Sequence, residues 1–285
     1  MPNTLAKLVL IILMFFATNA SFAAGNDDAV GIVLDLQGTG QVTDKGNNSK
    51  LQLLTYLKPT MRISLPAGSK ASLSLYETHS VYQIVGPSVI DIAKNKLIVI
   101  SGAAPVVKSL AEKLVMAASE HDLQAGAYRM RAISPRIVAV TPENGTLLLR
   151  SQPTFSWAAM ENGNYEITLL DQVEEIIASG KTTDTNWTLP VNVKLNNGGV
   201  YHWVVGYKSA KDGKTYTATA EFSLASQAEI DKLAELKPSD DAAIEEWILY
   251  AAMLQNKRMF IDAQAAWQLI GKQRPDLQKA HELAQ

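Results

Sequence analysis

Four histidines, His79, His121, His202 and His281, are the side chains in this chain best suited to proton transfer or metal ligation. None is paired at i,i+4, and there is no His-Glu-x-x-His, so a zinc-hydrolase helix is absent. Glu120-His121-Asp122 puts two acids beside an imidazole. Side chains adjacent in sequence diverge, so the triplet reads as a solvated turn rather than a triad. Cysteine is absent, which removes disulfides, thiolate metal sites, a thiol nucleophile and a lipid-modified N-terminal cysteine together. No P-loop, Gly-x-Ser-x-Gly, Ser-x-x-Lys or EF-hand loop occurs. We therefore expect no enzyme activity, no metal and no cofactor. The remaining chemistry is aromatic. Trp157, Trp187 and Trp203 could form a sugar-binding platform or a core. Trp157 and Trp203 alternate with small or polar neighbours, as burial requires, which leaves Trp187 as the candidate exposed ring.

The elements carrying these residues belong to a chain of 285 residues, long enough for about two or three domains. Its 47% hydrophobic and 19% charged content is that of a globular protein. A net charge of −2 with no basic block lacks the electrostatic footprint of a nucleic-acid binder. Lys7 precedes an apolar run from Leu8 to Ala17, and Ser21-Phe22-Ala23 then places small residues at −3 and −1 of a cleavage site. That run is about half the roughly 20 residues a spanning helix needs. A short membrane anchor is the competing interpretation. We read residues 1–23 as a signal peptide cut after Ala23, giving a periplasmic protein with no stable membrane span after cleavage.

Ile32, Leu34 and Leu36 share one face of a strand that ends at a Gly38-Thr39-Gly40 hairpin turn. No third glycine or helix follows, so this is not a dinucleotide loop. Tyr56–Leu65, Lys70–Tyr76, Val81–Val85, Val89–Ile92 and Leu97–Ile100 read as further strands. Leu73 and Leu75 alternate with Ser72 and Ser74, the period of a half-buried strand. The short strands are broken at Pro66-Ala67-Gly68 and Gly86-Pro87, so residues 29–103 are expected to form an all-β domain. The stretch Val81 to Ile92, with Val85-Gly86-Pro87-Ser88 at its centre, resembles the core of the FecR-like domain of bacterial envelope proteins. The resemblance spans Val30 to Gly102 and implies an exported binding or scaffold protein. Only Met1 to Lys7 precede the apolar run, too few for the sigma-factor-binding domain of signalling members. Val107, Leu110 and Leu114 are closer to helical spacing, so residues 104–135 read as a helical connector and linker.

Thr141-Pro142-Glu143-Asn144-Gly145 opens the next domain, residues 136–225. Phe155 and Trp157, then Tyr165, Ile167 and Leu169, then Tyr201, Trp203, Val205 and Tyr207 each occupy one strand face. Turn residues separate them, and the spacing suits a seven-stranded β-sandwich. The pattern resembles bacterial fibronectin type III-like or immunoglobulin-like domains.

From Ser226 the composition turns to Ala, Glu, Gln, Leu and Lys, and residues 226–285 read as a helical tail. Ser226-Gln227-Ala228-Glu229 is a capping box. A second helix is expected over Asp240–Gln255, with its first-turn carboxylates favoured by the helix dipole. A third carries Phe260, Ala263, Trp267 and Ile270 and stops at Arg274-Pro275. Trp247, Ala251, Ala263, Trp267 and Pro275 resemble a single tetratricopeptide repeat. That resemblance implies ligand-facing positions at Glu246, Ile248, Ala252, Gln255 and Asn256, with Glu245 beside them as the preferred acid. One repeat cannot bury its own faces, so the hairpin must dock on this chain, on another copy or on a partner.

The expected fold class is therefore mainly β with an α-helical C-terminal tail. The expected function is an exported periplasmic binding or scaffold protein that takes an envelope protein partner at Glu245, Ile248, Ala252, Gln255 and Asn256. The alternative is a module binding a glycan, peptidoglycan or surface polysaccharide.

Overall fold

The computed structural model describes residues 28–109, 114 and 137–277. The signal-peptide expectation and most of the connector lie outside those residues. The fold is mainly β with a helical C-terminal region.

The first unit is two five-stranded sheets. One has the order β10 (Val106–Ser109), β7 (Ser80–Val85), β6 (Lys70–Leu75), β1 (Gly31–Gln37), β4 (Tyr56–Leu57). The other runs β3 (Asn47–Lys50), β2 (Gln41–Asp44), β5 (Arg62–Leu65), β8 (Ser88–Ile92), β9 (Leu97–Ser101). They share a core in which Val33, Leu57, Leu73 and Ile84 of the first sheet meet Val42, Ile63, Ile90 and Ile92 of the second.

Several details differ from the sequence-based expectation. Gly38-Thr39-Gly40 is not a hairpin turn, because β1 and β2 lie in different sheets and the segment crosses between them. Gly38 takes φ +84°, where its missing Cβ keeps it clear of Ser69. The Thr39 N–H donates to Ser69 Oγ at 3.1 Å, pinning the crossing. Gly86-Pro87 is a second crossing, from β7 to β8; a Cβ on Gly86 would run into the Pro66 carbonyl. The expected strand Tyr56–Leu65 is two strands, split by Thr60 at φ 79°. The β2–β3 hairpin, Gln41–Asp44 and Asn47–Lys50, is largely polar and carries no run of apolar alternation to mark it in the sequence. Val106–Ser109, read as the start of a helix, is a strand pairing antiparallel with β7. Two consecutive β-branched valines suit a sheet edge better than a helix turn.

The second unit is a sandwich of eight strands, one more than expected. A three-stranded sheet, β11 (Ile137–Thr141), β13 (Thr154–Ala159), β16 (Asn186–Thr188), faces a five-stranded one. The latter runs β12 (Thr146–Leu148), β18 (Thr215–Leu224), β17 (Val200–Lys208), β14 (Tyr165–Asp171), β15 (Ile176–Thr182), with β12 parallel to β18. The alternating aromatics interdigitate as their period requires. Phe155 packs on Trp203 at 5.2 Å and on Phe222 at 5.9 Å, and Trp157 meets Tyr165 edge-on at 5.3 Å.

Three helices follow: α1 (Gln227–Leu236), α2 (Ile244–Asn256) and α3 (Phe260–Gln273). The Ser226–Glu229 capping box forms as read. The second helix starts at Ile244 rather than Asp240, so Glu245 and Glu246 supply its first-turn carboxylates. From Trp247 to Leu254 every residue of α2 is buried, the mark of a helix covered on all sides. Its cover comes from α1, α3 and the outer face of the first sheet, through Ile32, Leu34 and Val81. Leu147, within β12, and Leu149, just beyond it, pack against the same cluster. The tail thus returns from the sandwich to close a third core against the first unit.

Candidate interaction site

Of the positions implied by the tetratricopeptide resemblance, Glu245 sits where α2 meets the first sheet. Because strand side chains alternate, Val33 and Leu73 turn to the inner core while Ile32, Leu34, Ser72 and Ser74 turn outward. Ser72 is 3% and Ser74 1% exposed, so β6 is buried on both faces and not half-buried as its alternation suggested. Small residues on that outer face leave room for a helix.

Glu245 enters this junction from the first turn of α2 and is 4% exposed. Its Oε1 accepts from Ser72 Oγ at 3.0 Å and from Gln83 Nε2 at 3.2 Å. Both donors are neutral side chains. Ile248 and Ala252 are 0% and 4% exposed in the same core. Gln255 Oε1 accepts from Trp267 Nε1 at 3.3 Å, tying α2 to α3. Asn256 and Gln255 are partly exposed at the end of α2. The structure therefore brings Glu245, Ile248 and Ala252 together, but against this chain's own sheet. An outside partner reaching them would have to displace that sheet.

A second latch was not read from the sequence. Arg274 Nη1 donates to Asp35 Oδ2 at 2.8 Å, across 239 residues, while its Nε and Nη2 hold Asp276 at 2.9 and 2.7 Å. Hydrogen bonding to Asp276, and then to Asp35, raises the guanidinium pKa against the opposing effect of burial. The same pairing lowers that of Asp276. An acid within the apolar run of β1 was the available signal, since a nearly buried carboxylate needs a partner. Asp35 is 5% exposed.

The remaining surface is unusual along two sheet edges of the first unit. In β9, Ile98, Val99 and Ile100 are 43%, 37% and 53% exposed, and in β10 Val106 and Val107 are 60% and 58% exposed. A cleft of about 680 Å³ lies at the end of the second sheet, lined by Gln41, Lys50, Leu51, Ser64, Val89 and Ser101 among others.

The chemistry-bearing residues of the sequence stay apart. His79 sits in the β6–β7 turn at φ 50°. His202 lies 3.7 Å from Glu221 across β17 and β18, both half-exposed. His121 and His281 fall outside the described residues. Among the described residues no group of His, Asp and Glu could hold a metal ion. No described helix is long and apolar enough to cross a membrane. Trp157 and Trp203 are core residues, and Trp203 Nε1 donates to the Pro142 carbonyl at 3.1 Å. Trp187 is not an exposed ring: it is half-buried, packs on Phe155 at 5.6 Å and lies over Gly180.

No protein-family model matches this chain, and comparison with curated proteins found no match. Among solved structures it is similar to the fibronectin(III)-like modules of Clostridium thermocellum CbhA, at 11% identity and a TM-score of 0.24, over 31% of this chain and 94% of that one. It is also similar to the PKD domain of human KIAA0319, at 12% identity and a TM-score of 0.23, over 40% of this chain and 99% of that one. The N-terminal four Ig domains of Dscam1 match at 13% identity and a TM-score of 0.20, over 66% of this chain and 37% of that one. The two-sheet sandwich rests on the chain's own strand order.

Proposed function

We propose that this protein is an exported, non-catalytic interaction scaffold of the bacterial cell envelope. In this reading the tail is an internal clamp that holds the β units together, and the partner contact lies on the sheet edges. The observation that carries it is the set of exposed apolar side chains along β9 and β10. Apolar side chains on an open sheet edge are a surface that a partner strand can cover. The short apolar run before Ala23 supports export, and the motif around Gly86-Pro87 supports the FecR-like envelope assignment, both from the sequence alone. The tetratricopeptide-like hairpin contributes structure in this reading. The glycan alternative has lost the platform that motivated it, since Trp157, Trp187 and Trp203 pack into the sandwich.

The test is affinity capture by the tagged mature chain from envelope extract. A variant with Ile98→Lys and Val106→Lys serves as comparison. Specific envelope proteins recovered by the parent and lost by the variant support the scaffold. Retention on purified peptidoglycan with no protein recovered overturns it in favour of the glycan module.

A further inference from the structure

Strand β9 is the end strand of its sheet, and among the described residues no strand pairs with its outer edge. An open edge presents unpaired backbone N–H and C=O groups to any extended chain. Natural edges are usually blunted by a charge or a proline within the strand. Here Leu97-Ile98-Val99-Ile100 offers four consecutive apolar residues and neither device. Ile98 pairs with Asp91 on the outer face of the sheet, and Ile100 is the extra residue of a bulge between the Ile90–Val99 and Val89–Ser101 pairs. Ile98 and Ile100 therefore flank the edge, and because the bulge at Ile100 disrupts the ladder there, the regular stretch open to pairing is Leu97–Val99.

The two ends of the strand differ chemically. Lys94 and Lys96, both exposed, stand in the turn that leads into β9. At the other end Ser101 lines the cleft of about 680 Å³, whose one charged lining residue is Lys50. The cleft follows a register row across the sheet, Lys50–Gln41–Ser64–Val89–Ser101. Cationic groups thus lie at the start of the β9 edge, followed by apolar side chains, while Lys50 stands at the opposite edge of the sheet, on β3.

We propose that β9 takes an extended peptide segment of a partner protein by strand addition, the segment alternating apolar residues and carrying acids at the end beside Lys94 and Lys96. Main-chain hydrogen bonds supply the affinity in such complexes, and alternate side chains supply the choice of partner. A second copy fits less well. Two β9 strands paired antiparallel about a two-fold would set Lys96 against the Ser101-Gly102-Ala103-Ala104 end of the other copy, which holds no acid. The proposal rests on reading the chain as an interaction scaffold.

The probe is a fluorescent peptide of alternating Val and Thr ending in two Asp, titrated into the full mature chain and read by anisotropy. Saturable binding is expected. It should weaken at least about tenfold, or about 1.4 kcal/mol, in Ile98→Lys and in the double variant Lys94→Glu, Lys96→Glu. Unchanged circular dichroism shows that the variants remain folded. A peptide N-methylated at consecutive amides, which blocks both of its edges, should not bind. The site is overturned by absence of saturable binding to the parent, or by equal binding of the N-methylated peptide. It is also overturned by a concentration-dependent dimer that Ile98→Lys abolishes, which makes a second copy the occupant. Envelope proteins captured equally by parent and variants would sink the β9 site while leaving the scaffold standing. Peptide binding at β9 without any envelope partner would do the reverse.

Discussion

Docking of the tail on the first sheet can be tested through the Ser72–Glu245 hydrogen bond, which joins residues 173 apart in the chain. The perturbations are Ser72→Ala, which removes the donor, and Glu245→Leu, which removes the acceptor at similar volume. An intramolecular hydrogen bond contributes about 0.5–1.5 kcal/mol, and a buried polar group left without its partner costs about 1–3 kcal/mol. Glu245 keeps Gln83 Nε2 as a second donor when Ser72 is lost, so Ser72→Ala should cost about 0.5–1.5 kcal/mol. Glu245→Leu strands both donors, of which Ser72 is 3% exposed, and should cost somewhat more. In the double variant neither end of the bond exists, and the costs should fall short of additivity by about 0.5–1.5 kcal/mol. The assay is urea unfolding followed by tryptophan fluorescence, to which Trp247 and Trp267 in the same core contribute, with far-ultraviolet circular dichroism as the second probe. Strict additivity, within about 0.3 kcal/mol, would refute the junction, because residues that do not meet cannot be coupled. The tail would then be free for a partner.

Trp203 is fully buried and hydrogen-bonded to Pro142, so Trp203→Ala should destabilise the sandwich by about 3–5 kcal/mol, measured by thermal melting of the full chain. Burial, and next the nearby Asp262, push the Tyr250 pKa up to about 12. A raised folded-state value means that Tyr250 contributes stability below its unfolded pKa of about 10 and loses it as pH rises toward 12; Tyr250→Phe should flatten that alkaline loss in pH-dependent melting. Export with cleavage after Ala23 predicts a mature chain beginning at Ala24, and mass spectrometry of envelope protein beginning at Met1 would refute it.

Local chemistry made much of the architecture legible from the residues alone. Period-two alternation of large apolar residues marked Phe155/Trp157, Tyr165/Ile167/Leu169 and Tyr201/Trp203/Val205/Tyr207 as inward faces, and all are buried. The Ser226–Glu229 capping box and the arrest of α3 before Pro275 also follow from short-range rules. What tertiary structure decided is which elements meet. Alternation in β6 cannot distinguish a serine facing water from one facing a helix, and only the return of α2 to the first sheet buries Ser72 and Ser74. Gly38-x-Gly40 and Gly86-Pro87 announce a change of direction, but hairpin and sheet-to-sheet crossing use the same residues, and the shared core selects the crossing. The tetratricopeptide resemblance implied a binding face at Glu245, Ile248 and Ala252, and in the structure these residues are buried within this chain. Which surface covers them was outside the reach of sequence. It depends on Ile32, Leu34 and Val81, more than 150 residues upstream, needing cover that their own unit does not supply.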